Sequence, residues 1–369
     1  MARDNILSKY LCFFFNKLLS VNEIKSKKLN SPKNFLIVRQ HNQLGDLLSG
    51  VSLFRAIKET YPESHLTLIV SPLNYPGIVK NKFIDKVFIY DKKKIYNPVY
   101  FLKLIKLLRE SYDVTIVPVV VSISFTSNLI ARLAKSKTRI GCSSLNGKEN
   151  TSSFFFDRKV KLDWRQHPDS NVSERSLDIV RPFGINTHNF RSEISFDETD
   201  IKTVKVFLNE LDAAKEVIII GLHIGAGKVP NRWSLLKFTE LIEQINNNYN
   251  AKFYLTGSMA DTDAIAYIKN KSPLKIGVFM NKEIPEVAAL IDNSDLFISN
   301  DTGIMHVAGT TNTPQISIFG PTNPFNWAPI GEKKIFIRKS EIVDDISVKD
   351  VFSVCKLLLD ENEKGKINV

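Results

Sequence analysis

The chain has 369 residues, 43% of them hydrophobic and 24% charged, the composition of a soluble globular protein long enough for two domains. Fifty Lys and Arg against 39 Asp and Glu leave a net charge of +11, which favours an acidic partner: nucleic acid, an anionic membrane or a phosphorylated substrate. Cys12, Cys142 and Cys355 are too scattered for a disulfide framework or a zinc site, and no stretch approaches the roughly 20 apolar residues of a membrane span.

Residues 1–30 read as one amphipathic helix with a basic tail. Ile6, Leu7, Tyr10, Leu11, Phe14, Leu18 and Val21 recur at three- and four-residue steps, and Lys25, Lys27 and Lys28 follow. Asn16 and Lys17 interrupt its most apolar part and no small-residue cleavage site follows, so no signal peptide is expected. Such a helix lies on an anionic leaflet or packs on its own domain, and the two are compatible.

A strand at 35–38 leads through the loop 39–46 into a helix at 47–61, stopped by Pro62, and a strand at 66–70 completes a β-loop-α-β unit. The alternation continues with a strand at 87–90, a helix at 99–111, a strand at 114–121, a helix at 127–134 and a strand end at 139–141. Residues 142–175 are polar and irregular and read as loop, leading to a helix at 172–183. Gly184 ends that helix, and 184–197 is the candidate linker.

A second series opens with a helix at 198–211 and a buried strand at 217–223, followed by the glycine-rich loop Gly225, Ala226, Gly227, Lys228. A helix at 234–246, a strand at 252–256 closed by Gly257 and Ser258, and a helix at 260–270 come next. The strand 296–299 then enters Asp301, Thr302 and Gly303 ahead of a short helix, and 315–321 is the last strong strand. The expected fold class is α/β, with two Rossmann-like parallel-sheet domains, 31–190 and 191–369, facing a central cleft. The last helix is a candidate to pack back on the first domain.

Three loops of the second domain leave strands at one sheet edge: 225–228, 256–258 and 301–303. Their glycines and hydroxyls, with Lys228 and Arg232, suit a diphosphate. The plainer reading makes Asp301 or Thr302 a helix cap and Arg232 a surface cation over Trp233. In the first domain Asp46 is either a first-turn acid or a carboxylate placed to take a proton from a hydroxyl, and His41 is a second candidate base. Asp261, Thr262 and Asp263 have the look of a metal motif but open a helix, where acids are expected. No metal site is expected, and scattered cations without a recognised module argue against nucleic acid.

Three stretches carry a resemblance. Leu36, Ile37, Val38 and Arg39 lead to Leu44, Gly45 and Asp46, then to Leu53, Phe54, Arg55, Ala56, Tyr61 and Pro62. Gly221, Leu222 and His223 lead to Asn231, Arg232 and Trp233. Asn300, Asp301, Thr302, Gly303, Ile304, Met305, His306, Val307 and Ala308 continue to Thr313, Pro314, Phe319, Gly320, Pro321 and Thr322. In this order, across nearly the whole chain, they resemble the bacterial heptosyltransferases of lipopolysaccharide core assembly, glycosyltransferase family 9.

The resemblance implies a GT-B fold with the acceptor on the first domain and the nucleotide sugar on the second. It implies metal-independent, inverting transfer from a nucleotide-diphosphate sugar, typically ADP-heptose, to a lipopolysaccharide-core or lipid-linked acceptor. By the same resemblance Asp46 is the base, and Asp301, Thr302, Gly303 and His306 hold the donor. From their own loops, His41, Asn42 and Gly45 are acceptor-side candidates, and Gly225, Ala226, Lys228, Arg232, Gly257 and Ser258 are donor-side candidates. The implied location is cytoplasmic, peripheral on the inner membrane. Two departures stand out: Asn231 precedes Arg232 where many relatives have lysine, and the loop 40–44 is one residue longer. A sugar-nucleotide epimerase on the same kind of fold is the alternative enzyme.

Overall fold

The computed structural model describes residues 14–40, 43–213 and 217–367, so His41, Asn42, Cys12 and residues 1–13 of the expected N-terminal helix lie outside the described residues. The chain forms two compact units. The first holds the described residues up to Tyr75 together with Lys82–Phe190; the second holds Pro76–Asn81 and the chain from Arg191 onward. Within the second unit Lys80 pairs with Asp197 at 2.7 Å and Asp200 at 2.6 Å, which ties the early segment to the start of the helix Glu198–Glu210.

The sheet of the first unit contains β1 (Asn34–Arg39), β2 (His65–Val70), β3 (Lys86–Ile89), β4 (Tyr112–Ile116), β5 (Ser136–Leu145), β6 (Lys148–Glu149) and β7 (Arg158–Leu162). Their order is β3-β2-β1-β4-β5-β6, with β7 also paired to β5. All pairs are parallel except β5 with β6. Phe35, Leu36, Ile37 and Val38 are each fully buried, as a central parallel strand covered on both faces requires.

Three expectations need correction here. Helix is present at residues 14–19, but the stretch 20–33 contains neither helix nor strand. It spends its backbone donors on the domain instead, Val21 N on Phe154 O at 3.0 Å and Ile24 N on Asp157 O at 2.8 Å, while Arg132 Nε caps the carbonyl of Leu19. The expected loop at 142–175 contains β6 and β7; β7 alternates basic and apolar residues and reads as polar. The expected helix at 172–183 is only Val172–Arg175, followed by turns and a tight turn of 3₁₀ helix at Arg181–Phe183.

The second sheet contains β8 (Ile218–His223), β9 (Ala251–Gly257), β10 (Ile276–Met280), β11 (Leu296–Asn300), β12 (Gln315–Ile318) and β13 (Lys334–Ile337). The order is β10-β9-β8-β11-β12-β13, parallel throughout. The sequence reading did not anticipate β10, the helix Ile284–Asp292 after it, or β13. On the last helix, Val348–Ile367, residues Val351, Cys355, Leu358 and Leu359 share a core with Trp233, Phe238 and Leu241. Two Rossmann-like parallel sheets, one per unit, are the expected GT-B components.

Candidate active site

In each sheet the chain builds outward from one strand and then returns to build on its other side. That reversal falls between β8 and β11 in the second sheet and between β1 and β4 in the first. Connections leaving such neighbours diverge to opposite faces, which opens a crevice at the strands' carboxyl ends.

The loops after β8 and β11 meet there and are locked together. Asn300 donates from Nδ2 to Ile224 O at 2.8 Å and accepts the Trp233 N–H at 3.1 Å. Asn231 donates to an Asp301 carboxylate oxygen at 2.8 Å, and its own buried Oδ1 has no partner among the described residues. Arg232 folds over the glycine loop, Nε on Ala226 O at 2.8 Å, with its side chain otherwise exposed beside exposed Lys228. Burial pushes the Asp301 carboxyl above its ordinary value, against a hydrogen bond from Thr322 and the charge of Lys228. Thr302, at φ −155° and ψ 171°, is the N-cap residue of the helix Gly303–Ala308, and its side chain makes no capping bond.

Gly257 ends β9, the neighbour of β8, and Ser258 follows it. Asp261 accepts the Ser258 N–H at 2.8 Å and its hydroxyl at 2.9 Å, and a Cβ on Gly225 would collide with the same carboxylate. Asp261 therefore caps the turn at Ser258 and packs against Gly225, where any larger residue would displace its carboxylate. Ser258 is engaged in that cap. Sequence reasoning passed over His223, the last residue of β8. It is buried, its Nδ1 lies 3.0 Å from Thr256 Oγ1, and burial lowers its pKa.

In the first unit Gly45 and Asp46 lie inside the first turn of a short helix, Leu44–Ser49, which breaks at Gly50 before the helix Val51–Thr60. Asp46 is 3% exposed. Arg39, the last residue of β1 and 4% exposed, donates to the Asp46 carbonyl; burial lowers its pKa while the Asp46 charge opposes that. Gln40 follows, with both side-chain polar atoms buried and unpartnered among the described residues. It lines a cavity of about 400 Å³ with Ser71, Leu73, Tyr90, Lys92 and Lys93, beyond the carboxyl ends of β1, β2 and β3. Neither Arg39 nor Gln40 was singled out as a site residue. The available signal was an arginine closing an otherwise apolar strand.

The profile of glycosyltransferase family 9 (heptosyltransferase) matches residues 101–352. The chain belongs to glycosyltransferase family 9. It is 25% identical over 300 residues to the Escherichia coli lipopolysaccharide heptosyltransferase 3, covering 77% of this chain and 83% of that one. Its fold is similar to the crystal structure of a family 9 glycosyltransferase from Veillonella parvula, with TM-score 0.78, 19% identity, and 89% and 97% of the two chains covered. The E. coli ADP-heptose lipopolysaccharide heptosyltransferase II follows, with TM-score 0.72, 20% identity, and 90% and 99% covered. The chain is thus a glycosyltransferase, and its two sheets are those of the GT-B fold.

In this glycosyltransferase His306 is 7% exposed, with its ring edge-on to Trp327 at 6.3 Å, and burial lowers its pKa from 6.5 to about 4. From about pH 6.5 down to 4 the unfolded chain takes up a proton that the folded one refuses, so stability falls with pH across that window. His306→Gln is expected to flatten that fall in urea unfolding measured at several pH values. An unchanged slope would rule out His306 as its source.

Proposed function

We propose that this enzyme transfers heptose from ADP-heptose to a hydroxyl of a lipopolysaccharide-core acceptor, inverting the anomeric centre without a metal ion. The observation that carries the reading is the meeting of the glycine loop, Asn231 and the Asp301–Gly303 turn at the reversal between β8 and β11. The acceptor oxygen attacks the anomeric carbon, the bond from that carbon to the diphosphate breaks, and the hydroxyl proton passes to the Asp46 carboxylate. ADP leaves with the negative charge. Lys228, Arg232 and the N–H groups at the start of the helix Gly303–Ala308 face that charge, the role a metal ion serves elsewhere. The unpartnered Gln40 amide is suited to an acceptor hydroxyl, and Lys92 and Lys93 to an acidic substituent.

A lipid-linked acceptor places the enzyme at a membrane surface, with the acceptor's sugar in solution. No helix among the described residues is long and apolar enough to cross a membrane.

The test is incubation with ADP-heptose, with and without truncated lipopolysaccharide, while ADP release and the acceptor's mass are followed. Release that needs acceptor, with the acceptor gaining one heptose, is expected. Conversion of the nucleotide sugar without acceptor would overturn transfer in favour of epimerisation.

A further inference from the structure

The residues around Asp46 and Gln40 do not account for a second charged cavity in the first unit, lined by different side chains. Val21 and Ile24 hydrogen-bond to the carbonyls of Phe154 and Asp157, and Glu23 pairs with Lys159 at 3.0 Å. These contacts fix the segment after the N-terminal helix beside β7. Lys25 and Lys27 are thereby brought to Arg158, Lys159 and Lys161 around a cavity of about 440 Å³, where Glu23 is the only acid of the lining among the described residues. Arg158 is 8% exposed. One of its terminal nitrogens lies 3.4 Å from Asp157, but its Nε is buried and has no partner among the described residues.

A buried guanidinium nitrogen without an acceptor forfeits its hydration, and four lysines around it repel one another. That repulsion falls when an anion with several acceptor oxygens enters the cavity. The apolar surroundings specify which anion. Ile24, in the same segment, is 48% exposed, and Phe14 and Leu18, on the helix just before it, are 58% and 61% exposed. An exposed isoleucine among the lysines of the cavity, with exposed Phe14 and Leu18 earlier in the same chain segment, matches the boundary between acyl chains and charged headgroups.

We propose that this cavity binds the phosphodiester headgroup of an anionic phospholipid, with Arg158 and Lys159 on the phosphate and Lys25, Lys27 and Lys161 around it. The proposal deepens the reading that the enzyme works at a membrane surface and takes its location from that reading. Its chemistry is independent of which sugar is transferred.

The experiment is co-sedimentation of the full chain with phosphatidylcholine vesicles, with and without phosphatidylglycerol, at fixed ionic strength. Binding is expected to need phosphatidylglycerol. It should weaken roughly tenfold in Arg158→Gln and in the exposed pair Lys25→Gln/Lys27→Gln, but not in the charge-matched pair Lys103→Gln/Lys106→Gln. The exposed pair keeps the test valid if the buried substitution impairs folding. Equal weakening in the control pair would overturn the site in favour of diffuse attraction, as would binding indifferent to phosphatidylglycerol. Calorimetric titration with inorganic phosphate separates the sources: phosphate binding that needs Arg158, with no vesicle binding, would reject a lipid occupant. Transfer to a water-soluble acceptor should persist in the Lys25/Lys27 pair. Absent transfer in the parent chain would sink the enzymatic reading and leave the vesicle result standing.

Discussion

Asp46→Asn is expected to lower kcat by about 10²- to 10⁴-fold, the usual contribution of a positioned general base, while leaving the donor's Kd almost unchanged. The asymmetry follows from placement. Asp46 lies in the first unit, and the groups proposed to hold the nucleotide sugar all lie in the second. Asparagine keeps the shape of the side chain, and the contact from Arg39 is to the main-chain carbonyl of residue 46, so the substitution leaves it in place. Single-turnover assays with saturating donor, paired with calorimetric donor titration, separate the two parameters. A variant with near-parental kcat would require another proton acceptor.

Trp233→Ala is the second large effect, a loss of about 3–5 kcal/mol of stability, as for other fully buried aromatic side chains. Trp233 is 1% exposed, meets Phe238 edge-on at 4.9 Å, and donates from its indole nitrogen to Ile346 O at 2.9 Å. Truncation opens a cavity between the helix Leu235–Asn246 and the last helix, and leaves the Ile346 carbonyl with Lys237 Nζ, at 3.1 Å, in place of two donors. Its backbone N–H is also the partner of Asn300, so disorder at 233 loosens the loops that carry Asp301 and Arg232. Donor affinity should therefore fall together with stability. Denaturant unfolding read with and without nucleotide measures both, and a loss below about 1 kcal/mol would contradict the packing argument. Trp233 is the core aromatic and Arg232 the surface cation that the plainer sequence reading expects, but the Arg232 Nε bonds to Ala226 O.

The legible parts of this chain were those where local chemistry and tertiary role coincide. Apolar runs such as 35–38 and 296–299 are strands because both faces are buried, and the glycines at 225 and 303 mark turns at their ends. The illegible parts are those where the neighbours decide. β7 is half basic because its lysines border the cavity shared with residues 23–27, and β10 is short and interrupted by Gly277. Arg39, Gln40 and His223 are ordinary strand-end residues until the sheet order places them beside a reversal. Asn231, at the position where the resemblance expects lysine, anchors the Asp301 carboxylate, so the proposed donor site draws its positive charge from Lys228 and Arg232.

The passage of Pro76–Asn81 into the second unit has a practical result for anyone dividing the gene. A fragment beginning at residue 191 would lack Lys80, leaving Asp197 and Asp200 without their cation at the very helix that opens the fragment. A chimera that exchanges the sugar-nucleotide half between relatives must carry that early hexapeptide from the same parent, or graft a half with a notch in it.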